Sequence, residues 1–287
     1  MEIVDAQIHG PLPALEWDDA DLDGQRRRDA AVIESALAAM DAVGVDAAVV
    51  HDVPRLCEFA ATVRPDRFAG IVRLDPDTPD IDNVLAAIRT RPGVLGIRII
   101  ANAPLRPDHV RKFNEGGFDP WFAAAAQHGV PVCMYAAGEP RLFHGIARRF
   151  PDLVLIVDHL GLLHPPRGTP GPALFEPLPE ILDLAAYPNV AVKFSGLPAL
   201  TSEPYPFAGL WPQLHRVIEA FGPDRLMWGS DYTRTRRQHN YSEAVNYLRY
   251  TSEVSESDKR KLFGETLRRW LRWPRATVPL GGTRSPD

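Results

Sequence analysis

Reactive side chains follow the apolar, strand-like segments of this 287-residue chain. The first segment carries Gln7 and His9, a later one ends in His159, and the last ends in Asp231. Imidazole and carboxylate groups can exchange protons with a substrate or hold a divalent metal. Because these groups stand at the carboxyl ends of their segments, we expect the surrounding elements to bring them together at one edge.

The other strand-like segments carry polar groups at similar positions: His51, Arg73, Arg98, Tyr135 and Lys193. Taken one at a time, these side chains also have ordinary structural interpretations, such as capping a loop, forming an ion pair or packing. Regular strand alternation would place Asp5, Gln7 and His9 on one face. We expect Asp5 to lie deeper and to serve the structure, because a buried polar group needs partners.

An alternation of strands and helices must position these groups. Eight candidate strands span residues 2–9, 45–52, 67–75, 94–100, 130–136, 153–161, 189–196 and 225–231, with helical periodicity between them. Gly44 and Gly129 each stand just before a candidate strand, where we expect a helix to end. This pattern predicts an α/β fold, a single-domain (β/α)₈ TIM-like barrel over residues 1–273. An open doubly wound sheet is the alternative, but no G-x-G-x-x-G loop follows the first strand. Residues 274–287 are expected to form a flexible tail.

Composition excludes several functional classes. The formal net charge is −5 and no basic stripe is present, so nucleic-acid binding is not expected. Two cysteines provide neither a disulfide framework nor a cysteine-based zinc site. No signal peptide and no membrane-spanning run is seen, so we expect a cytoplasmic protein with a small-molecule substrate. A homodimer is an open alternative for the oligomeric state.

Several motifs resemble the amidohydrolase superfamily, in particular its lactonase and decarboxylase-like branch. They are "QIH" near the start, "DHLG" before a proline-rich loop, and "GPDRLMWGSDY" near the end, supported by "GVDAAVV", "RPDRFAGIVRLDP", "GVLGIRI" and "NVAVKFSGL". The resemblance covers nearly the whole chain. It implies a metal site built from His-x-His on strand one, histidines on strands five and six, and an aspartate on strand eight.

Two positions depart from that metal site. His9, His159 and Asp231 match it, whereas Gln7 replaces the first histidine and Tyr135 stands at the strand-five position. A neutral amide and a neutral phenol are poor zinc ligands. We therefore expect no cofactor and no essential metal. The alternative is one divalent ion, zinc or manganese, held by His9, His159 and Asp231.

The resemblance and these departures together predict a lactonase-like hydrolase. Asp231 would act as the general base on water, while His9 and His159 would polarise the carbonyl of a cyclic ester. The substrate, which could carry a carboxylate, would contact Gln7, His51, Arg73, Arg98, Tyr135 and Lys193. A metal-dependent decarboxylase or lyase on the same scaffold and a non-catalytic degenerate barrel remain the alternatives.

Overall fold

Eight parallel strands form one sheet in the computed structural model, which describes residues 1–10, 22–88, 90–102, 105–163 and 171–275. Each strand pairs with the next along the chain, and the Asp231 amide donates to the Gln7 carbonyl oxygen between the last and first strands, at 3.1 Å. The predicted (β/α)₈ barrel is therefore confirmed. The strands are β1 Val4–Ile8, β2 Ala47–Asp52, β3 Phe68–Val72, β4 Val94–Ile100, β5 Val132–Tyr135, β6 Leu155–Val157, β7 Val190–Ser195 and β8 Leu226–Gly229.

Helices alternate with the strands and cover the outside of the barrel. Proline in the first turn begins several of them, where its missing N–H costs nothing. Gly129 ends the helix Asp119–His128 in the left-handed conformation (φ 60°), as its place before a strand predicted. The α-helices are α1 Leu22–Val43, α2 Pro54–Val63, α3 Ile81–Ile88, α4 Pro107–Asn114, α5 Asp119–His128, α6 Pro140–Arg149, α7 Leu178–Leu182, α8 Trp211–Phe221, α9 Tyr232–Thr235, α10 Tyr241–Arg249, α11 Glu256–Arg260 and α12 Thr266–Trp270.

The chain end beyond the last helix continues along the barrel. Arg268 donates to the Pro274 carbonyl at 3.0 Å, and Arg275 pairs with Glu2 at 2.9 Å. The rest of the predicted tail, residues 276–287, lies outside the described residues. Among the described ranges, no helix combines the length and the apolar character needed to cross a bilayer.

Strand β1 does not alternate regularly. Asp5 pairs with Ala48 and Ile8 with Val50, so three residues of β1 span two residues of β2, which is a β-bulge. Ala6 packs in the barrel interior, whereas Asp5 contacts α10 on the outside. The prediction that Asp5 shares a face with Gln7 and His9 is therefore wrong, because the extra residue turns Gln7 inward.

Asp5 joins the ends of β1 and β8 from this outer position. Its carboxylate accepts from the backbone N–H groups of Gln7 at 3.0 Å and Ser230 at 2.9 Å. It also accepts from the Ser230 hydroxyl and from the Tyr241 hydroxyl, the latter at 2.9 Å. Burial nevertheless raises the pKa of Asp5 from 3.8 to about 6, against the opposing effect of these hydrogen bonds. Asp5 thus has the structural role expected of it.

The raised pKa of Asp5 predicts a pH-dependent contribution to stability. Asp5 binds its proton more tightly when folded, so its contribution is fully present below about pH 4 and is lost as the pH rises through about 6. Asp5→Asn removes the titration and can keep the hydrogen bonds, since both hydroxyl partners can reverse. Relative to the variant, wild type should lose roughly 2 kcal/mol of unfolding free energy between about pH 4 and about pH 7.5. Urea unfolding of both proteins at the two pH values measures this, and a constant difference would contradict it.

Candidate active site

Three strand ends bring the predicted catalytic residues together. His9 follows β1, His159 follows β6 and Asp231 follows β8, and all three side chains are buried. His9 Nε2 lies 3.1 Å from one carboxylate oxygen of Asp231, and His159 Nε2 lies 3.8 Å from the other. A carboxylate between two imidazoles can pass a proton to and from a bound molecule.

Unusual backbone geometry aims two of these side chains. His159 and Asp231 both lie in the left-handed region, with φ of 54° and 49°. Side-chain-bearing residues seldom adopt this conformation, and it costs free energy that the surroundings must offset. Each residue stands in the tight turn that ends a barrel strand, so the turn directs its side chain over the barrel instead of along it.

The amide of Gln7 lies between the two imidazoles. Its nitrogen is 2.9 Å from His159 Nε2 and 3.2 Å from His9 Nε2. Its oxygen accepts a hydrogen bond of 3.1 Å from the Lys193 ammonium group. Gln7 is fully enclosed in the barrel, so it contacts the catalytic groups from beneath.

A buried charge network supports Gln7. Lys193 forms an ion pair of 2.9 Å with Asp158 and lies 2.9 Å from His51 Nε2, while Arg98 Nε pairs with Asp158 at 2.8 Å. Burial alone would raise the pKa of Asp158, but the charges of Lys193 and Arg98 hold it below its usual range. Lys193 and His51 were predicted to bind substrate. Their enclosed positions give them internal partners instead.

Hydrogen-bond partners limit where the protons of the two imidazoles reside. His9 Nδ1 lies 2.6 Å from the His51 carbonyl oxygen, which can only accept, so Nδ1 carries the hydrogen. His159 Nδ1 lies 2.9 Å from the Ser195 hydroxyl and 3.3 Å from the Ser195 carbonyl oxygen. Burial lowers the pKa of both histidines, although the charge of Asp231 opposes the shift. His9 Nε2 faces a second acceptor, the Asp231 carboxylate at 3.1 Å, so a proton between these two atoms satisfies the contact.

A cavity of about 980 Å³ opens at the ends of β3 and β4, and His9, His159 and Asp231 are not among its lining residues. Arg98 lines this cavity, and its guanidinium group also lies over the Tyr135 ring at 5.9 Å from the ring centroid. Tyr135 in turn presents its ring to the edge of His159 at a centroid distance of 5.5 Å. Arg73 lines the same cavity from an exposed position, apart from the buried cluster.

Sequence reasoning did not assign roles to several residues that hold the site. Thr233 accepts from the His9 backbone N–H at 3.0 Å, and Arg234 donates to the Gly10 carbonyl at 3.0 Å. Asp158 and Ser195 position Lys193 and His159. Asp158, Thr233 and Arg234 stand within three residues of a predicted catalytic residue in the sequence, and that proximity was the available signal.

A shared metal ion does not fit these residues. A cation bound by His9 Nε2 and His159 Nε2 would need their lone pairs, which the Gln7 amide nitrogen already contacts. The Lys193 ammonium group stands behind that amide and adds a positive charge. Within the part of the chain that the structure describes, no group of three or more His, Cys, Asp or Glu side chains is arranged to hold a metal ion.

Two curated relatives that resemble this chain are named for lactone hydrolysis. The 4-sulfomuconolactone hydrolase of Hydrogenophaga intermedia is 24% identical over 69% of this chain and 66% of its own length. The L-fucono-1,5-lactonase of Burkholderia ambifaria is 31% identical over 38% of this chain and 37% of its own length. The chain thus matches less than two thirds of the length of these relatives.

Solved structures share the fold across nearly the whole chain. An amidohydrolase from Burkholderia multivorans with bound zinc has a TM-score of 0.74 at 19% identity, covering 96% of this chain and 100% of that one. A Pseudomonas putida protein, for which 2-pyrone-4,6-dicarboxylic acid hydrolase activity is proposed, has a TM-score of 0.72 at 23% identity, covering 95% and 98%. The 5-carboxyvanillate decarboxylase of Sphingomonas paucimobilis has a TM-score of 0.61 at 17% identity, covering 94% and 99%.

A match to a family model shows to which family the chain belongs. The Amidohydrolase model (Amidohydro_2) matches residues 4–273, which include every strand of the barrel and the three residues that meet at its mouth. Both curated relatives named above are lactone hydrolases, whereas the decarboxylase shares the fold. This chain belongs to the amidohydrolase family.

Proposed function

We propose that this protein hydrolyses a small cyclic ester, a lactone, and that it needs no metal to do so. The observation that carries the proposal is the buried Asp231 carboxylate, which lies 3.1 Å from His9 Nε2 at the mouth of the barrel. A carboxylate in this setting can act as a general base on water. The lactone hydrolase relatives support the substrate class.

The reaction begins with a water molecule beside Asp231. The carboxylate takes one proton as the water oxygen attacks the carbonyl carbon, giving a tetrahedral intermediate with a negative oxygen. The ring C–O bond then breaks, and the leaving oxygen receives the proton from Asp231 or from His9, which is within hydrogen-bond distance of it. The product is a hydroxy acid, and the carboxylate base is regenerated.

Arg98 is the better candidate for stabilising the negative oxygen. The sequence suggested His9 and His159 for this task, but burial lowers the pKa of each ring. A neutral ring whose Nδ1 carries the hydrogen has no N–H to offer through Nε2. Arg98 is bound to Asp158 through Nε, and its guanidinium group lies on the cavity wall. Its terminal N–H groups can therefore donate to a substrate oxygen.

The cavity supports a small substrate that carries a negative charge. Its volume of about 980 Å³ lies at the upper end of the usual range for small-molecule sites. Arg98 and Arg73 line it and could bind a carboxylate in two-pronged fashion. Acidic residues balance much of the remaining charge on its wall, including Asp75 and Asp108. Charge recognition thus depends mainly on Arg98, the less exposed of the two arginines.

A substrate panel with and without chelator tests the proposal. The purified protein should open one or more lactones from a panel of neutral and carboxylated lactones. Its rate should be unchanged after prolonged treatment with EDTA, because the Gln7 amide nitrogen lies against the two Nε2 atoms that a metal would need. The measurement is acid release at constant pH, together with the metal content of the same sample.

Other results would select the alternatives. One tightly held metal equivalent, with activity lost on chelation and restored by zinc or manganese, would overturn the metal-free mechanism. Carbon dioxide released from an unsaturated or aromatic acid, without lactone opening, would indicate a decarboxylase. No turnover of either panel would favour a non-catalytic barrel.

A further inference from the structure

Lys193 is an ammonium group placed at the centre of the site but closed off from it. Its side chain has no exposure to solvent, so it cannot contact a substrate in the cavity. Its Nζ atom contacts three groups at hydrogen-bond distance: the Asp158 carboxylate, the Gln7 amide oxygen and His51 Nε2. An ammonium group has three hydrogens, so these contacts use all of its donors.

We propose that Lys193 is a positioning residue, which fixes the Gln7 amide so that His159 presents Nε2 as a hydrogen-bond acceptor. The inference rests on the proposed lactone hydrolysis for its catalytic consequence. The direction of each hydrogen bond does not depend on which substrate the protein takes.

Lys193 sets the orientation of the Gln7 amide. Lys193 can only donate, so the Gln7 group that faces it at 3.1 Å must be the oxygen. The reverse orientation would set the amide NH₂ against the ammonium group inside the barrel, where no water can separate them. A fully buried lysine therefore removes the usual freedom of a glutamine side chain to rotate its amide.

With its oxygen held by Lys193, Gln7 directs its amide N–H group towards His159 Nε2 at 2.9 Å. The donated hydrogen bond uses the lone pair of Nε2, so the hydrogen of the neutral His159 ring lies on Nδ1, which meets Ser195. His9 differs, because its Nε2 lies 3.1 Å from the Asp231 carboxylate and needs a hydrogen between the two atoms.

His159 in this tautomer has no hydrogen to give to the Asp231 carboxylate, which lies 3.8 Å from its Nε2. The Asp231 oxygen on that side therefore receives no hydrogen bond from His159 and can accept one from water. Lys193 thus acts on the proposed base through Gln7 and His159, without touching it.

Nitrogen NMR of histidine-labelled protein tests the proton positions directly, without a substrate. In wild type, His159 should show hydrogen on Nδ1 and none on Nε2. Lys193→Met should populate the other tautomer of His159. It should also lower kcat for a lactone by about 10²-fold with a small change in KM. Lys259→Met, which removes another buried lysine in α11, should leave both readouts unchanged.

Two further variants keep the test decisive if Lys193→Met folds poorly. Lys193→Gln removes the charge that forces the orientation of Gln7, while Asp158 keeps its ion pair with Arg98. Gln7→Glu keeps the shape of residue 7 but loses its donors, so Nε2 of His159 should become protonated. The proposal is overturned if wild type carries hydrogen on Nε2 of His159, or if a folded Lys193 variant keeps the wild-type His159 tautomer and kcat. The NMR readout decides this even if lactone hydrolysis is disproved.

Discussion

Replacing Asp231 with asparagine is expected to lower kcat for lactone opening by about 10³-fold, within the range that general-base catalysis contributes. The carboxamide has the same shape but cannot accept a proton from water. The fold should be retained, because asparagine tolerates the left-handed conformation found at this position as well as aspartate does. Steady-state kinetics on the best lactone of the panel, with a thermal melt of the same sample, provide the measurement.

A matched control separates loss of the base from loss of a carboxylate in general. Asp66 is an exposed aspartate that pairs with Arg64 at 3.0 Å, just before β3 and so at the opposite end of the barrel. Asp66→Asn should leave kcat unchanged. Near wild-type turnover by Asp231→Asn would show that another group takes the proton, and the proposed mechanism would then fail.

Replacing Arg98 with lysine is expected to lower kcat/KM by about 10²-fold with little change in melting temperature. Lysine keeps a positive charge for the buried Asp158 carboxylate, which preserves the ion pair. It lacks the fork of N–H groups that can bind Asp158 and a substrate oxygen together. Arg98→Met removes the charge as well and should also destabilise the fold, by roughly 2 kcal/mol.

Arg111 supplies the control for this pair of variants. It lines the same cavity from an exposed position, so Arg111→Lys keeps the charge on the cavity wall and should leave kcat/KM within a factor of a few. Comparison of kcat/KM for carboxylated and neutral lactones shows which oxygen Arg98 binds. Equal losses indicate the reacting carbonyl, and a larger loss for the carboxylated substrate indicates the carboxylate. Unchanged kinetics in Arg98→Lys would exclude both roles.

The barrel and the meeting of His9, His159 and Asp231 could be predicted because both follow from position along the strands. Side chains at the carboxyl ends of parallel strands share one edge wherever the strands lie in the circle. Residue types at those ends were therefore sufficient for the outline of the site. The predicted ends of α1 and α5 were similarly local, since a glycine with positive φ follows each helix.

The faces of β1 could not be predicted in the same way. The bulge between Asp5 and Ile8 leaves no mark in the residue types, because it depends on how β1 pairs with β2. Contacts across the barrel could not be predicted from the sequence either. Lys193 and Gln7 lie 186 positions apart, and strand position shows only that a lysine points inward, not which acceptors it reaches. Lys193 was for this reason predicted to meet substrate.

The left-handed turns at His159 and Asp231 bear on how this protein could be evolved or engineered. A side-chain-bearing residue in that conformation costs roughly 1–2 kcal/mol, a cost that glycine would avoid. Selection for thermal stability alone would therefore favour glycine at two positions that the proposed reaction needs. Stabilising libraries built on this scaffold should hold both positions constant and draw their gains from the outer helices.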